Sequence, residues 1–465
     1  MAQNINNRTS HKIPRRILNS VIVSLTSGVV PRVGAPYIAI GRQREIGALV
    51  SDLSIVAEGG SAMRFVIGRY GSGKSFLLQL IRGYACEQGF VCMDADLSPE
   101  RRLYGSGGAG LATYRELIKN MSTKASPDGG AVSALVERQL AMARETALSR
   151  GVNSTDQNYA ESVCAIIRAQ LSSLRMSVGG FDFCEVLTRY LGAVLEENDT
   201  LSAACLRWLR GEYSTKSEAK RTLGFCVSSI PDDDNWYDFI KLWAVYVRAC
   251  GYKGLCVMLD ECVNLYKITN RVSRENNYEK ILSMFNDTLS TGAEGLMMTF
   301  CGTPQFLEDP RRGLFGYEAL RSRLCDSRFA TAEIGSVSGP VIRLRRLSDD
   351  EMFALLLRVS GLYTQLYPDA RVLTAEQLEL FYRACNSRAG AEELMTPREM
   401  IRDLLFLLDA MRENSQLDPV SLISGNQGQS AGNLTDKNEN NDDAPDVIPA
   451  QAPRRDLPSP EDIEI

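Results

Sequence analysis

The sequence predicts an α/β protein: a three-layer parallel sheet with a large all-helical insertion and a closing helical block. Three observations carry that prediction. Short apolar runs recur between segments of helical periodicity, as strands buried on both faces by crossover helices require. One long internal stretch has helical spacing and few strand signals. The first apolar run breaks into "GRYGSGKS" (68–75) and then returns at once to an apolar helix pattern.

Five runs are strand candidates: "FVIG" (65–68), "FVCMDADL" (90–97), "GLCVMLDE" (254–261), "GLMMTFCGTP" (295–304) and "PVIRL" (340–344). The insertion lies between the second and third, at about 112–250. There "VSALVERQLAMARETAL", "FDFCEVLTRYLGAVLEE" and "WYDFIKLWAVYVRACGY" repeat apolar residues at i, i+3, i+4. The glycine-rich "YGSGGAGLATY" (104–114) marks its start. A last helical block runs from 348 to about 413. Ser348 is its N-cap, and Asp349, Asp350 and Glu351 sit at the positive end of its dipole.

The chain ends are read differently. "RTSHKIPRRILNSVIVSLTSG" is basic and Ser-rich, as an organellar leader would be. The spacing of Ile17, Leu18, Val21, Ile22 and Leu25 instead suits an amphipathic first helix of the fold. At the other end, 415–465 carries ten acids against three bases. It lacks the apolar residues to offset chain entropy, so disorder is expected over 414–465. The whole chain is at −5, which leaves the remainder near +2, so charge gives no argument for a nucleic-acid partner. The twelve cysteines are scattered without a C-x-x-C, and the single histidine, His11, lies in the basic arm. Buried, reduced thiols in a cytoplasmic protein are expected rather than zinc. No window is apolar enough to span a membrane.

The chemistry concentrates in two places. Gly68-x-x-x-x-Gly73-Lys74-Ser75 is a phosphate-binding loop. Gly68, Gly71 and Gly73 let the backbone curl so that successive N–H groups, Ser72 among them, face an anion, and the helix continuing through Phe76 adds its free N-terminal amides. Lys74 would reach the β- and γ-phosphates, and the Ser75 hydroxyl would ligate Mg²⁺. The second place is the run ending in Asp260-Glu261. Such a strand is expected beside the first, with Asp260 at the metal and Glu261 polarising the attacking water. Thr303, at the end of the fourth run, could bond the water or the γ-phosphate; Thr299 competes, although strand alternation favours packing for it.

Arginine is dense in "DPRRGLFGYEALRSRLCDSRF" (309–329), at Arg311, Arg312, Arg321, Arg323 and Arg328. Most would form a solvated face; one could be a finger acting on a neighbour's nucleotide. Arg398 of "MTPREMIRDLLFLLD" sits in a helical first turn, against the dipole.

The order "IGRQRE" (40–45), phosphate loop, "DE" strand, polar strand end, "LRSRL" and "PRE" resembles AAA+ P-loop NTPases of the origin-recognition and STAND side. That resemblance implies an adenine-proximal stretch at Gly41, Arg42 and Glu45, a finger at Arg323 and a lid sensor at Arg398. It divides the chain into an arm (1–60), an ATPase core (61–345), a lid (346–413) and a tail (414–465). "SGVVPRVGAPYIAIGRQREI", "FVIGRYGSGKSFLLQLIRGYACEQGFV", "DADLSPERRLYGSGGAGLATYRELIKNM" and "RRGLFGYEALRSRL" are similar to the ATP-binding proteins of bacterial phage-exclusion (BREX) defence islands, over roughly 15–412. This implies a cytoplasmic, ATP- and Mg²⁺-dependent ATPase that works with other defence proteins as a switch or assembly factor. Origin-recognition relatives continue into a winged helix after the lid, whereas this chain enters an acidic tail, so any DNA contact is expected to be indirect or non-specific. A homo-oligomer follows if Arg323 acts in trans. Two alternatives stay open: a nucleotide-gated scaffold with little turnover, and a DNA-stimulated motor resting on the basic arm (Arg8, Lys12, Arg15, Arg16).

Overall fold

The structure, a computed structural model, describes residues 13–105, 107–326, 339–371, 373–387, 395–414 and 416–425. His11, Arg8, Lys12, Arg328 and the tail from 426 lie outside them.

All five apolar runs form strands: β1 (Ala62–Ile67), β2 (Val91–Asp96), β3 (Leu255–Asp260), β4 (Leu296–Gly302) and β5 (Val341–Arg343). They make one sheet in the order β2-β3-β4-β1-β5, every pair parallel. This corrects one expectation. The strand ending in Asp260 does not adjoin β1; β4 lies between them, pairing Phe65 with Phe300 on one side and Leu259 with Phe300 on the other. β3 and β4 are both buried along their whole length, as central strands are, whereas β5 is only three residues long and stands at an edge.

Between β2 and β3 the described chain is helical throughout. The helix Ala109–Lys119 packs on β2, and Trp236–Ala249 packs on β3. Between them, helices Val132–Ser149, Tyr159–Gln170, Gly180–Leu195 and Asp199–Leu209 pack on one another in sequence. The insertion shares a continuous apolar core with the sheet, and its centre is aromatic. Phe183 meets Trp243 edge-on at 5.2 Å between centroids and also contacts Trp208, Phe239 and Tyr246. The polar ends of these rings are satisfied: Trp243 Nε1 donates to the Tyr114 hydroxyl (3.1 Å), which donates to Leu209 O (2.7 Å). The glycine-rich start of the insertion is held by side chains. Asp233 accepts from the N–H groups of Gly108 (2.7 Å) and Leu111 (2.9 Å), so this helix N-terminus already has an internal carboxylate.

The chain divides into two compact units. One comprises Arg44–Arg69 and Lys74–Leu344, which is the sheet with its insertion. The other comprises Met1–Gln43, Tyr70–Gly73 and Arg345–Ile465. In this second unit the amphipathic helix Arg15–Thr26 buries Leu18, Val21, Ile22 and Leu25 and packs on Asp349–Leu366 and Pro397–Glu413. Both partner helices open with a capping box, at Ser348/Glu351 and Thr396/Glu399. Chain order extends further than the composition of 414–465 suggested. Pro419–Gly425 is a short helix packed on Ala375–Asn386, with Ile423 buried, so this stretch does have apolar surface to bury. Ten of the twelve cysteines are buried and all are free. No described helix is long and apolar enough to cross a membrane.

Phe183→Ala removes the ring that four other aromatics touch, and should cost about 3–5 kcal/mol. A denaturant titration followed by tryptophan fluorescence, which reports Trp208 and Trp243 directly, will measure it.

Candidate functional site

The phosphate loop runs from the end of β1 into the helix Lys74–Glu87. Its start is fixed to the sheet, since Gly68 N donates to Gly302 O of β4 (3.1 Å). Lys74 Nζ folds back and donates to Gly68 O (2.9 Å) and Arg69 O (3.0 Å), which holds the loop curled. Gly71 and Gly73 have φ of +75° and +87°, a conformation in which L side chains are strained. At Gly71 space is also short, because a Cβ there would come within 2.3 Å of Thr396 Cγ2. Ser72 Oγ is buried and has no hydrogen-bond partner among the described residues. Phe76 is half-buried in the first turn.

The acid pair closes the other side of β4. Ser75 Oγ donates to Asp260 Oδ2 at 2.6 Å across 185 positions of sequence. Asp260 Oδ1 accepts from the N–H of Glu261 at 2.8 Å. Glu261 itself is exposed and takes a left-handed backbone (φ +55°), one of two described non-glycine residues to do so. Such strain persists only where the surroundings impose it, here through the Asp260 carboxylate and the Cys262 N–H bond to Cys301 O of β4 (3.0 Å). Burial lowers the Lys74 pKa, opposed by the negative charge of Asp260 and Glu261.

A third carboxylate, not singled out from the sequence, belongs to the same edge. Asp96 ends β2 in register with Asp260. Asp96 is exposed at the strand end, and its pKa is raised by desolvation from the neighbouring strand ends and then by the charges of Asp260, Asp94 and Glu261. The signal in the sequence was the alternation of acids in "MDAD"; the register that joins Asp96 to Asp260 is a property of strand pairing.

The other candidate residues are distributed as follows. Thr303 Oγ1 caps the next helix, accepting from Phe306 N at 3.4 Å, and Thr299 is buried within β4. Arg323 is half-buried on the helix Glu318–Leu324, where its Nη1 donates to Ala319 O (2.7 Å). Arg312 is tied inward through Tyr266 O and Ile268 O, whereas Arg311 and Arg321 are exposed. Glu45 is buried in the sheet unit. In the second unit, Arg42 is 4% exposed, and its Nη2 donates to Ser72 O and to Arg345 O, both at 2.8 Å. It therefore grips the tip of the loop by a carbonyl. Gly41 lies against Glu351, where a Cβ would come within 2.5 Å of the carboxylate. Arg398 is exposed, its aliphatic stem beside Gly28.

The chemistry of the donors fits both groups the motif implies. The curled loop, the helix N-terminus and Lys74 suit a polyphosphate. A hydroxyl and a carboxylate oxygen in contact suit a hard divalent cation such as Mg²⁺, which binds through one or two protein oxygens plus phosphates. An all-parallel sheet with a phosphate loop leaving β1 and an acid at the end of β3 defines an α/β nucleotide-binding protein of the P-loop kind. The sequence model of one family, described as BREX system ATP-binding protein BrxC/D, matches residues 13–427. The chain belongs to that family. A search of curated proteins finds no match.

Gly71→Ala should lower stability by about 1 kcal/mol for the left-handed backbone alone, with a further loss from the clash with Thr396. Adding Thr396→Ser, which deletes Cγ2 and keeps the capping oxygen, should recover part of the clash, since Thr396 Cβ would still lie 2.7 Å from the new methyl. Thermal melts of the two single variants and the double variant separate the terms.

Proposed function

We propose that the protein binds ATP with Mg²⁺ and hydrolyses it, and that the cycle drives a switch or an assembly step in a BREX anti-phage defence complex. The observation that carries this reading is the Ser75–Asp260 contact, with Lys74 on the loop beside it and Glu261 immediately after it in the chain. Lys74 exchanges its loop carbonyls for phosphate oxygens. Ser75 and Asp260 supply the hydroxyl and carboxylate ligands of the metal. Held by Ser75 and Asp260, Mg²⁺ would neutralise negative charge on the phosphates. Glu261 accepts a proton from the attacking water, its carboxylate held by a backbone that Asp260 pins. Thr303 stands at the end of β4, between the two halves of the site, and orients that water or the γ-phosphate.

The AAA+ reading adds a lid and two arginines. The helices Asp349–Leu366 and Pro397–Glu413 act as the lid, with Arg398 as its sensor of the γ-phosphate. Arg42 contributes by holding the loop tip, and Gly41 lies beside it in the chain. Arg323 acts as a finger on the nucleotide of a second copy, which makes the active form a homo-oligomer. Other BREX proteins are its partners, in the cytoplasm, and DNA is touched indirectly or without sequence preference.

Lys74→Ala should abolish ATP binding, measured by calorimetry; near-native affinity would remove the phosphate assignment. Glu261→Gln should keep binding and lower kcat by about 10²–10⁴-fold. Arg323→Ala should lower kcat by about 10³-fold or more at unchanged ATP affinity, and mixing it with Lys74→Ala should restore part of the activity if the finger acts across subunits. A Glu261→Gln protein that still supports phage exclusion in cells would favour the scaffold role over turnover.

A further inference from the structure

We propose that Asp96 is a positioning residue of the metal site: its carboxylate accepts hydrogen bonds from water coordinated to the nucleotide's Mg²⁺, and so sets how much magnesium nucleotide binding requires. This rests on the nucleotide-site reading above and adds to it a residue outside both motifs.

The placement comes from strand pairing. Asp96 and Asp260 are register partners on adjacent parallel strands, so their side chains leave the same face. The backbone there is fixed on both sides. Leu97 N donates to Asp260 O (3.0 Å), Asn264 Nδ2 donates to Leu97 O (2.8 Å), and Arg101 Nε donates to Asp96 O (2.9 Å). Neighbouring strands lie about 4.8 Å apart. At that spacing two strand-end carboxylates can face one hydrated ion, one as a ligand and the other through an ion-bound water.

Charge points the same way. Asp94, two residues earlier on the same face of β2, is matched by Arg82 at 2.9 Å. Asp260 uses one oxygen on Ser75 and the other on Glu261 N. The Asp96 carboxylate has neither an ion pair nor a hydrogen bond among the described residues, although Asp260 and Glu261 crowd it with like charge. Lys74 is the cation that feels Asp260 and Glu261, and its Nζ is hydrogen-bonded to loop carbonyls. No three acidic side chains among the described residues converge closely enough to hold an ion by themselves, so Asp96 would act on an ion held by Ser75, Asp260 and the phosphates through its coordinated water. Mg²⁺ is bound in this way, because it keeps several of its waters and an outer carboxylate orients them.

The test uses the full chain and a non-hydrolysable ATP analogue. Its affinity is measured by calorimetry across a magnesium titration and again in EDTA, for the native protein, Asp96→Asn, Asp96→Glu and Lys74→Ala. Asp96→Asn should raise the magnesium concentration for half-maximal binding by about 10-fold or more while leaving affinity in EDTA unchanged. Asp96→Glu should fall between it and the native protein. A magnesium midpoint in Asp96→Asn within twofold of native overturns the proposal, as does an equal loss with and without magnesium, which would mark a structural role. Binding that survives in Lys74→Ala overturns the nucleotide-site reading and this proposal with it.

Discussion

Ser75 and Asp260 meet through one hydroxyl–carboxylate contact, and the geometry of the site follows from what lets them meet. The serine is carried by the first turn of the helix that leaves β1, and the aspartate by the last residue of β3. With β4 between those strands, the gap is one strand wide, and a short side chain on the helix can bridge it. The same β4 accepts a backbone bond from the loop (Gly68 to Gly302) and one from the acid segment (Cys262 to Cys301). Two functional segments nearly two hundred residues apart are thus fastened to one fully buried ribbon, and its burial makes their separation reproducible.

What the sequence made legible was local. Apolar runs of strand length became strands because parallel pairing satisfies their backbone groups while both faces stay buried. The loop motif was legible because its spacing is set by backbone curvature, and Ser348 because a cap acts within one turn. What stayed hidden was lateral. No feature of "GLCVMLDE" states which strand lies beside it, so the place of β4 and the pairing of Asp96 with Asp260 emerged only from the sheet. Arg42 illustrates the same limit: its neighbours in sequence suggest a nucleotide contact, yet its guanidinium bonds two carbonyls, at Ser72 and, 303 positions away, at Arg345. The helix Pro419–Gly425 was hidden for a different reason: few apolar residues lie in a polar, proline-containing stretch, and their value depends on a partner helix that composition does not reveal.

The insertion leaves the sheet at β2 and returns at β3, the two strands whose ends carry Asp96 and Asp260. Its first and last helices lie on those same strands, and its core is continuous with theirs. Close-packed interiors are poorly compressible and transmit strain, chiefly as shifts of whole elements. A load on the insertion would therefore be felt at β2 and β3 before it reached β1 or β5.

The second unit gathers its helices from both ends of the sequence, together with four residues of the phosphate loop, Tyr70–Gly73. The helix Arg15–Thr26 is a wall of that body, pressed on Pro397–Glu413, whose capping threonine abuts Gly71. Trimming either end to obtain a minimal nucleotide-binding fragment would strip support from the Gly68–Ser75 loop even though no residue of its motif had been removed. An affinity tag or fused protein placed close to residue 15 carries the same hazard.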